Sequence, residues 1–154
     1  RLMPNWCSNH IELSGPKDKI EALWLEAKEE NKLLELLVPF EGTDYDREFA
    51  INCWGTKWDV DTEYLDFEPD GDYSRITGYM ESAWSPPTEA LHTWMDNNPD
   101  CEAQLFFYEP AMDFAGCLDG EITLSECDDD YFKNTELGEL LDSHFNILED
   151  RQEE

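Results

Sequence analysis

Base is what this chain lacks: ten Lys and Arg stand against 38 Asp and Glu, a formal net charge of -28 over 154 residues. Binding a nucleic-acid backbone or an anionic membrane surface needs Lys and Arg to displace counterions, so neither is an expected partner. Paired cysteines are missing too. Cys7, Cys53, Cys101, Cys117 and Cys127 are odd in number and scattered, with no CxxC, which argues against a secreted disulfide scaffold. No apolar run approaches 20 residues, and no basic segment leads into an apolar one at the N-terminus. Neither a membrane span nor a secretory signal is therefore expected, and the cytoplasm is the expected compartment. Arg1 and Leu2 read as a remnant ahead of a natural start at Met3.

Aromatic residues, by contrast, are plentiful. They make up 13% of the chain, within 40% apolar residues. Disordered acidic tails are poor in aromatics, so this chain is expected to fold despite its self-repulsion. Its length suits one domain, placed at 3–150, with 151–154 as an acidic tail.

Asn5 to Leu13 alternates, with Cys7, Asn9, Ile11 and Leu13 on one side, and reads as a strand. From Lys17 the spacing of Ile20, Leu23, Trp24 and Ala27 is helical, with Pro16 suited to the first turn. Leu33 to Val38 reads as its last turn or a short second helix, and Asp46 to Trp54 as a further helix capped by Gly55. Thr62–Glu68 and Tyr73–Trp84 form a hairpin around Pro69-Asp70-Gly71-Asp72. Pro86 and Pro87 open a helix carrying Leu91, Trp94 and Met95, and Cys101–Glu109 is a strand. A second hairpin turns at Asp119-Gly120, between Phe114–Leu118 and Glu121–Glu126. A last helix starts near Thr135, with Leu137, Leu140, Leu141, His144 and Leu148 on one stripe. This order predicts an α+β domain: the split βαβ pattern of a ferredoxin-like antiparallel sheet, helices on one face, extended by a C-terminal hairpin and helix.

Three segments carry a family resemblance: Met3-Pro4-Asn5-Trp6-Cys7-Ser8-Asn9, Asn52-Cys53-Trp54-Gly55-Thr56-Lys57-Trp58-Asp59, and Ala83-Trp84-Ser85-Pro86-Pro87. Together they resemble the YubB ferredoxin-like domain proteins of bacteriophages and conjugative plasmids. The stretch Tyr108-Glu109-Pro110 with Asp113-Phe114-Ala115-Gly116 is similar to that family's continuation, so the likeness spans about 3–120. It implies the fold and a mobile-element origin. It implies no catalytic residues, and it leaves the charge and the acidic segment beyond 120 unexplained.

The acids themselves are the functional signal. Between Trp58 and Phe132 twenty acids face one base, Arg75. If extended, Asp59, Asp61 and Glu63, and then Asp66, Glu68, Asp70 and Asp72, would each line one side of a strand at roughly 6.6 to 7 Å spacing, near that of phosphates along a nucleic-acid strand. At one charge per about 1.7 Å of duplex, the excess of 28 matches roughly 48 Å of DNA, whereas the domain should measure only about 38 Å. The expected face joins these residues to Asp119, Glu121, Glu126, Asp128, Asp129 and Asp130. Its expected partner is a basic, nucleic-acid-binding protein of the host, such as a restriction, CRISPR or other nuclease, blocked by imitation of its substrate. A homodimer would cover about twice the length of DNA. Halophilic adaptation and solubility produce acidic surfaces as well.

Other constellations have blander readings. Asp66, Glu68, Asp70 and Gly71 match the opening of a calcium loop, but Thr77 stands where its bidentate Glu belongs, so a hairpin turn is the better assignment. Asp128-Asp129-Asp130 reads as a solvated run rather than a cation site. His10, His92 and His144 form no zinc set, and His144 on an apolar stripe reads as a hydrogen-bonded, partly buried residue. Cys7 and Cys53 are the only candidate nucleophiles, in surroundings too negative to activate a thiol. No catalytic residues and no cofactor are expected. Trp6, Trp54, Trp58 and Trp84 are assigned to the core rather than to a stacking platform. An adaptor that binds through shape and aromatics, and an enzyme on a small substrate, stay open as alternatives.

Overall fold

The computed structural model describes residues 5–42 and 44–153. Met3 and Pro4 of the first motif, with the expected start, lie outside the described residues, as does Glu154 of the expected tail. β1 (Trp6–Pro16) buries Cys7, Asn9, Ile11, Leu13 and Gly15 on one face, because its apolar set recurs at period two. It runs straight through Gly15 and Pro16, and Pro16 is the N-cap of α1 (Lys17–Glu30) rather than a first-turn residue. Left-handed Asn31 ends that helix, and α2 (Leu34–Leu37) follows as a separate turn.

The helix expected over 46–54 has two geometries. Asp46 caps α3 (Arg47–Phe49) through the Phe49 N–H, and the chain then widens into a π-helical turn, Ala50–Trp54, closed by Gly55 at φ 88°. Such wide turns rotate the following side chains, and here Trp54 is driven into the core with its indole N–H donating to the Val38 carbonyl at 2.8 Å.

β2 (Leu65–Asp70) and β3 (Tyr73–Ala83) form the expected hairpin; α4 (Thr88–Asn97) leads into β4 (Glu102–Glu109), and β5 (Phe114–Cys117) pairs with β6 (Gly120–Thr123). The sheet order is β2-β3-β1-β4-β5-β6, with every neighbouring pair antiparallel. On one face, Ile11, Leu13, Ile76, Leu105 and Phe107 pack with α1, α2 and α4 around Ile20, Leu34, Trp54 and Leu91.

Helices cover both faces, not one. α5 (Asp129–Asn134), α6 (Glu136–Phe145) and α7 (Ile147–Gln152) pack a second core of Tyr108, Ala115, Leu124, Phe132, Leu141 and Ile147. The cause lies in β4, whose alternate residues are apolar on both sides: Leu105 and Phe107 face one core, Phe106 and Tyr108 the other. Burying a Leu, Ile or Phe fully is worth about 1.5–3 kcal/mol, so this aromatic half-face draws down a second layer. The single C-terminal helix is accordingly broken. Asn146 adopts φ 53° between α6 and α7, which turns Ile147 inward and leaves Leu140 exposed. The boundary expected at 150 falls inside α7, where Arg151 donates to the carbonyls of Cys127 and Leu124 at 2.9 and 2.8 Å.

Candidate functional site

The acids divide into those that face solvent and those the backbone consumes. Asp66, Glu68 and Asp70 lie on β2, opposite Thr77, Arg75 and Tyr73 of β3, and share the face not covered by α1. Arg75 stands among them, 2.8 Å from Glu68 and 3.9 Å from Glu12 of β1, so the row is neutralised at its centre. Asp66 and Asp70 remain exposed on either side. Asp72 does not extend the row: it is in the β2–β3 turn, where its carbonyl accepts from the Lys17 N–H at 2.9 Å.

Asp59, Asp61 and Glu63 are not a strand. The segment is irregular because its carboxylates bind amides. Asp59 Oδ1 accepts from Leu33, Leu34 and Val60 N–H at 2.8–2.9 Å, and Oδ2 accepts from Glu35 N–H at 3.1 Å. It closes the first turn of α2 from a distant loop and is half-buried. Asp61 Oδ1 accepts from the Glu63 N–H at 2.8 Å, forming a local turn.

The 119–130 acids lie elsewhere. Asp119 is in the β5–β6 turn, Glu121 is on β6, and Glu126 is in a 3₁₀ turn over Leu124–Glu126. Asp128 caps α5 through the Tyr131 N–H, Asp129 pairs with Arg151 at 3.4 Å, and Asp130 accepts from Asn134. The run read as solvated charge is therefore a helix start, where carboxylates satisfy free amides and the helix dipole. β2 and β6 are opposite edges, five strand spacings or about 24 Å apart, so the two expected segments sit at opposite ends of the sheet.

Charge nonetheless remains largely uncompensated. Among the described residues, ion pairs engage six acids, Glu12, Glu30, Glu35, Glu68, Asp100 and Asp129, with four bases. Spread over 8923 Å², the excess amounts to one charge per about 320 Å², so an interface of about 800 Å² would meet only two to three on average. Strong electrostatic recognition must use a local concentration.

One such concentration surrounds a cleft of about 790 Å³ on the second face of the sheet. Trp6, Tyr64, Tyr79, Tyr108, His144 and Phe145 supply its rings, and Asp59, Asp61, Glu81 and Asp150 its carboxylates; among the described residues no Lys or Arg lines it. Four of these rings, Tyr79, Tyr108, His144 and Phe145, are held by one another. His144 stacks on His10 at 4.1 Å and approaches the Tyr79 hydroxyl at 3.4 Å, and Phe145 stacks on Tyr108 at 5.7 Å. Burial lowers the proton affinity of both imidazoles, and His10 lowers that of His144 further. Tyr64 reaches the rim because Gly78, at φ 146°, lets the Tyr64 carbonyl approach where a Cβ would be only 2.1 Å away. Composition hid this site, since its aromatics are dispersed through the chain. The signal was Tyr79 and Trp6 on the polar side of two alternating strands.

The three motifs of the resemblance converge beside it. Trp84 N–H donates to the Asn5 carbonyl, the Thr56 hydroxyl to the Ala83 carbonyl, and the Ser85 hydroxyl to the Gly55 carbonyl, while Trp6 meets Trp58 edge-on at 6.4 Å. Their tryptophans are not all core: Trp54 is buried, but Trp6 and Trp84 are 39% and 42% exposed. Below them Cys7 is a poor nucleophile, its thiol pushed up to about 12, chiefly by burial and then by Glu109. Burial also raises the carboxyl of Glu109, although Ala111 donates to it.

Compared with protein-family models, with curated proteins and with solved structures, the chain gives no match to any of the three. Among the described residues no helix is long and apolar enough to cross a membrane.

Proposed function

We propose that this is a ferredoxin-like domain of a phage or plasmid that binds a basic, nucleic-acid-binding protein in the host cytoplasm and blocks it by presenting acids in place of phosphates. The carrying observation is the surplus of exposed, unpaired carboxylates on a folded surface, with Asp66 and Asp70 on the edge strand β2 and Asp72 in the turn that follows it. The strand order β2-β3-β1-β4, with a helix after β1 and another after β3, supports the ferredoxin-like assignment. The convergence of the three tryptophan motifs supports the likeness to the YubB proteins. A basic cleft evolved for nucleic acid would attract such a surface from a distance, with an on-rate that falls as salt rises.

The test is capture from a host lysate at low salt, eluted first with a salt gradient and then with duplex DNA. Retention of a DNA- or RNA-binding protein that DNA displaces is the expected result, and Asp66→Lys, Asp70→Lys and Asp72→Lys together should abolish it. A second reading, an adaptor that binds through shape and aromatics, is favoured by the exposed rings of the cleft; its complex would survive the salt gradient and ignore DNA.

A further inference from the structure

We propose that the cleft between the sheet and α6 is an anchor site for one arginine side chain of the partner protein; the inference rests on the protein-binding role proposed above. Three observations select that occupant. Trp6, Tyr64 and Tyr79 expose 39%, 70% and 44% of their surface into or beside the cleft, and the rings of Trp6 and Tyr79 are held in place by Trp58 and His10. A cation over such a ring is attracted by its quadrupole, and a planar guanidinium stacks there better than an ammonium.

The second observation is the carboxylates. Asp59 is consumed by four backbone amides, and Asp150 accepts from the Tyr108 hydroxyl at 3.1 Å. Glu81 is exposed, directly across from Ser8 in the sheet register, and Asp61 uses only Oδ1 in its turn. These two carboxylates can accept a guanidinium fork without breaking the fold. The third is size. An arginine side chain fills only roughly 200 Å³ at the volume of liquid water per heavy atom. The cleft, at about 790 Å³, therefore also admits the backbone that carries it, which points to an arginine on a protein segment rather than a bare ion.

Phosphate is repelled by the same walls, and an apolar side chain would leave the carboxylates to be desolvated without a partner. An anchor of this kind supplies what diffuse acidity does not: a fixed register on the partner.

The probe is N-acetyl-arginine amide, titrated into the full chain and followed by amide and indole NMR shifts, with the neutral isostere N-acetyl-citrulline amide and spermidine as comparators. Saturable shifts at Trp6, Tyr64, Tyr79 and Glu81, absent with citrulline amide, are expected, and Glu81→Lys should remove them. Because Glu81 and Tyr64 are exposed, that variant and Tyr64→Ala should keep the fold, which unchanged melting curves would verify. In the captured complex, either variant should weaken binding at least tenfold. Shifts confined to the β2 and β6 edges, equal shifts with citrulline amide, tighter binding of spermidine at the cleft, or a probe response untouched by Glu81→Lys would each overturn the assignment. A partner that binds in a salt-sensitive way while the probe ignores the cleft refutes the anchor and leaves the acidic-surface function standing. Probe binding in the cleft with no basic protein captured supports the anchor and counts against that function.

Discussion

Asp59 offers a direct measure of how much of this acidity is structural. Its carboxylate accepts four backbone N–H groups, three of them, from Leu33, Leu34 and Glu35, at the start of α2. Leu33 and Leu34 are fully buried, so water cannot fully replace the lost acceptor. Asp59→Ala should leave three helix-start amides short of a partner at about 1 kcal/mol each, a loss of about 3 kcal/mol. Relief of repulsion in so acidic a chain offsets only a small part. With a urea dependence of about 2 kcal/mol per molar, the unfolding midpoint should fall by about 1.5 M. Asp59→Asn keeps the Oδ1 contacts, turns the Oδ2 position into a donor against the Glu35 N–H, and should lose only about 1 kcal/mol. Asp61→Ala is the control, since it removes one exposed turn contact and should stay within about 0.5 kcal/mol of the parent. Chemical denaturation followed by tryptophan fluorescence gives all three values. An Asp59→Ala midpoint within about 0.3 M of the parent would refute the reasoning and return Asp59 to the surface charge.

Arg151 should matter for the opposite reason, because it spends a scarce base on holding α7: Arg151→Ala should cost about 2 kcal/mol, or roughly 4–8 °C in melting temperature, and Arg151→Lys should recover less than half, since one ammonium cannot reach the Leu124 and Cys127 carbonyls together. The stacked His10 and His144 predict a pH effect. Their folded pKa values lie below 6.5, so the unfolded chain binds more protons and stability falls as pH drops through 6.5 toward the folded values. Urea midpoints at pH 7.5 and 5.5 should therefore fall more for the parent than for His144→Phe; an equal change in both proteins counts against this. Native alkylation at pH 8, read by mass spectrometry, should spare Cys7 and Cys101, whose buried thiols are pushed up to about 12 and about 11, and rapid labelling of either would contradict their placement.

Much of the fold was legible because period and punctuation agreed. β1, α1, the β2–β3 hairpin, α4, β4 and the Asp119-Gly120 hairpin all follow from alternation, helical spacing and turn residues. The misreadings of the acidic segments share one cause. Carboxylates were treated as charges facing solvent, whereas Asp59, Asp113 and Asp128 act as acceptors for backbone amides, which fixes loops and helix starts. Spacing in sequence cannot reveal this, because Asp59 serves amides 24 to 26 positions away. The second helical layer was missed for a related reason. Phe106 and Tyr108 alternate with Leu105 and Phe107, and a strand apolar on both faces looks the same whether helices or solvent cover the second one.

That second layer decides what the sheet can bind. Left bare, the face bearing Trp6, His10, Tyr79, Phe106 and Tyr108 would be a row of rings open to stacking bases. α6 lays His144 and Phe145 over its middle, which removes His10 and Phe106 from reach and leaves Trp6, Tyr64 and Tyr79 as the wall of a cleft. The carboxylates around that wall repel phosphate, so stacking with nucleic acid is opposed both by cover and by charge. A flat cation that prefers rings and carboxylates together meets neither obstacle, and arginine is a residue of choice for phosphate and nucleic-acid recognition. If the partner is a nucleic-acid-binding protein, the residue that it turns toward DNA is the one that the proposed anchor would accept.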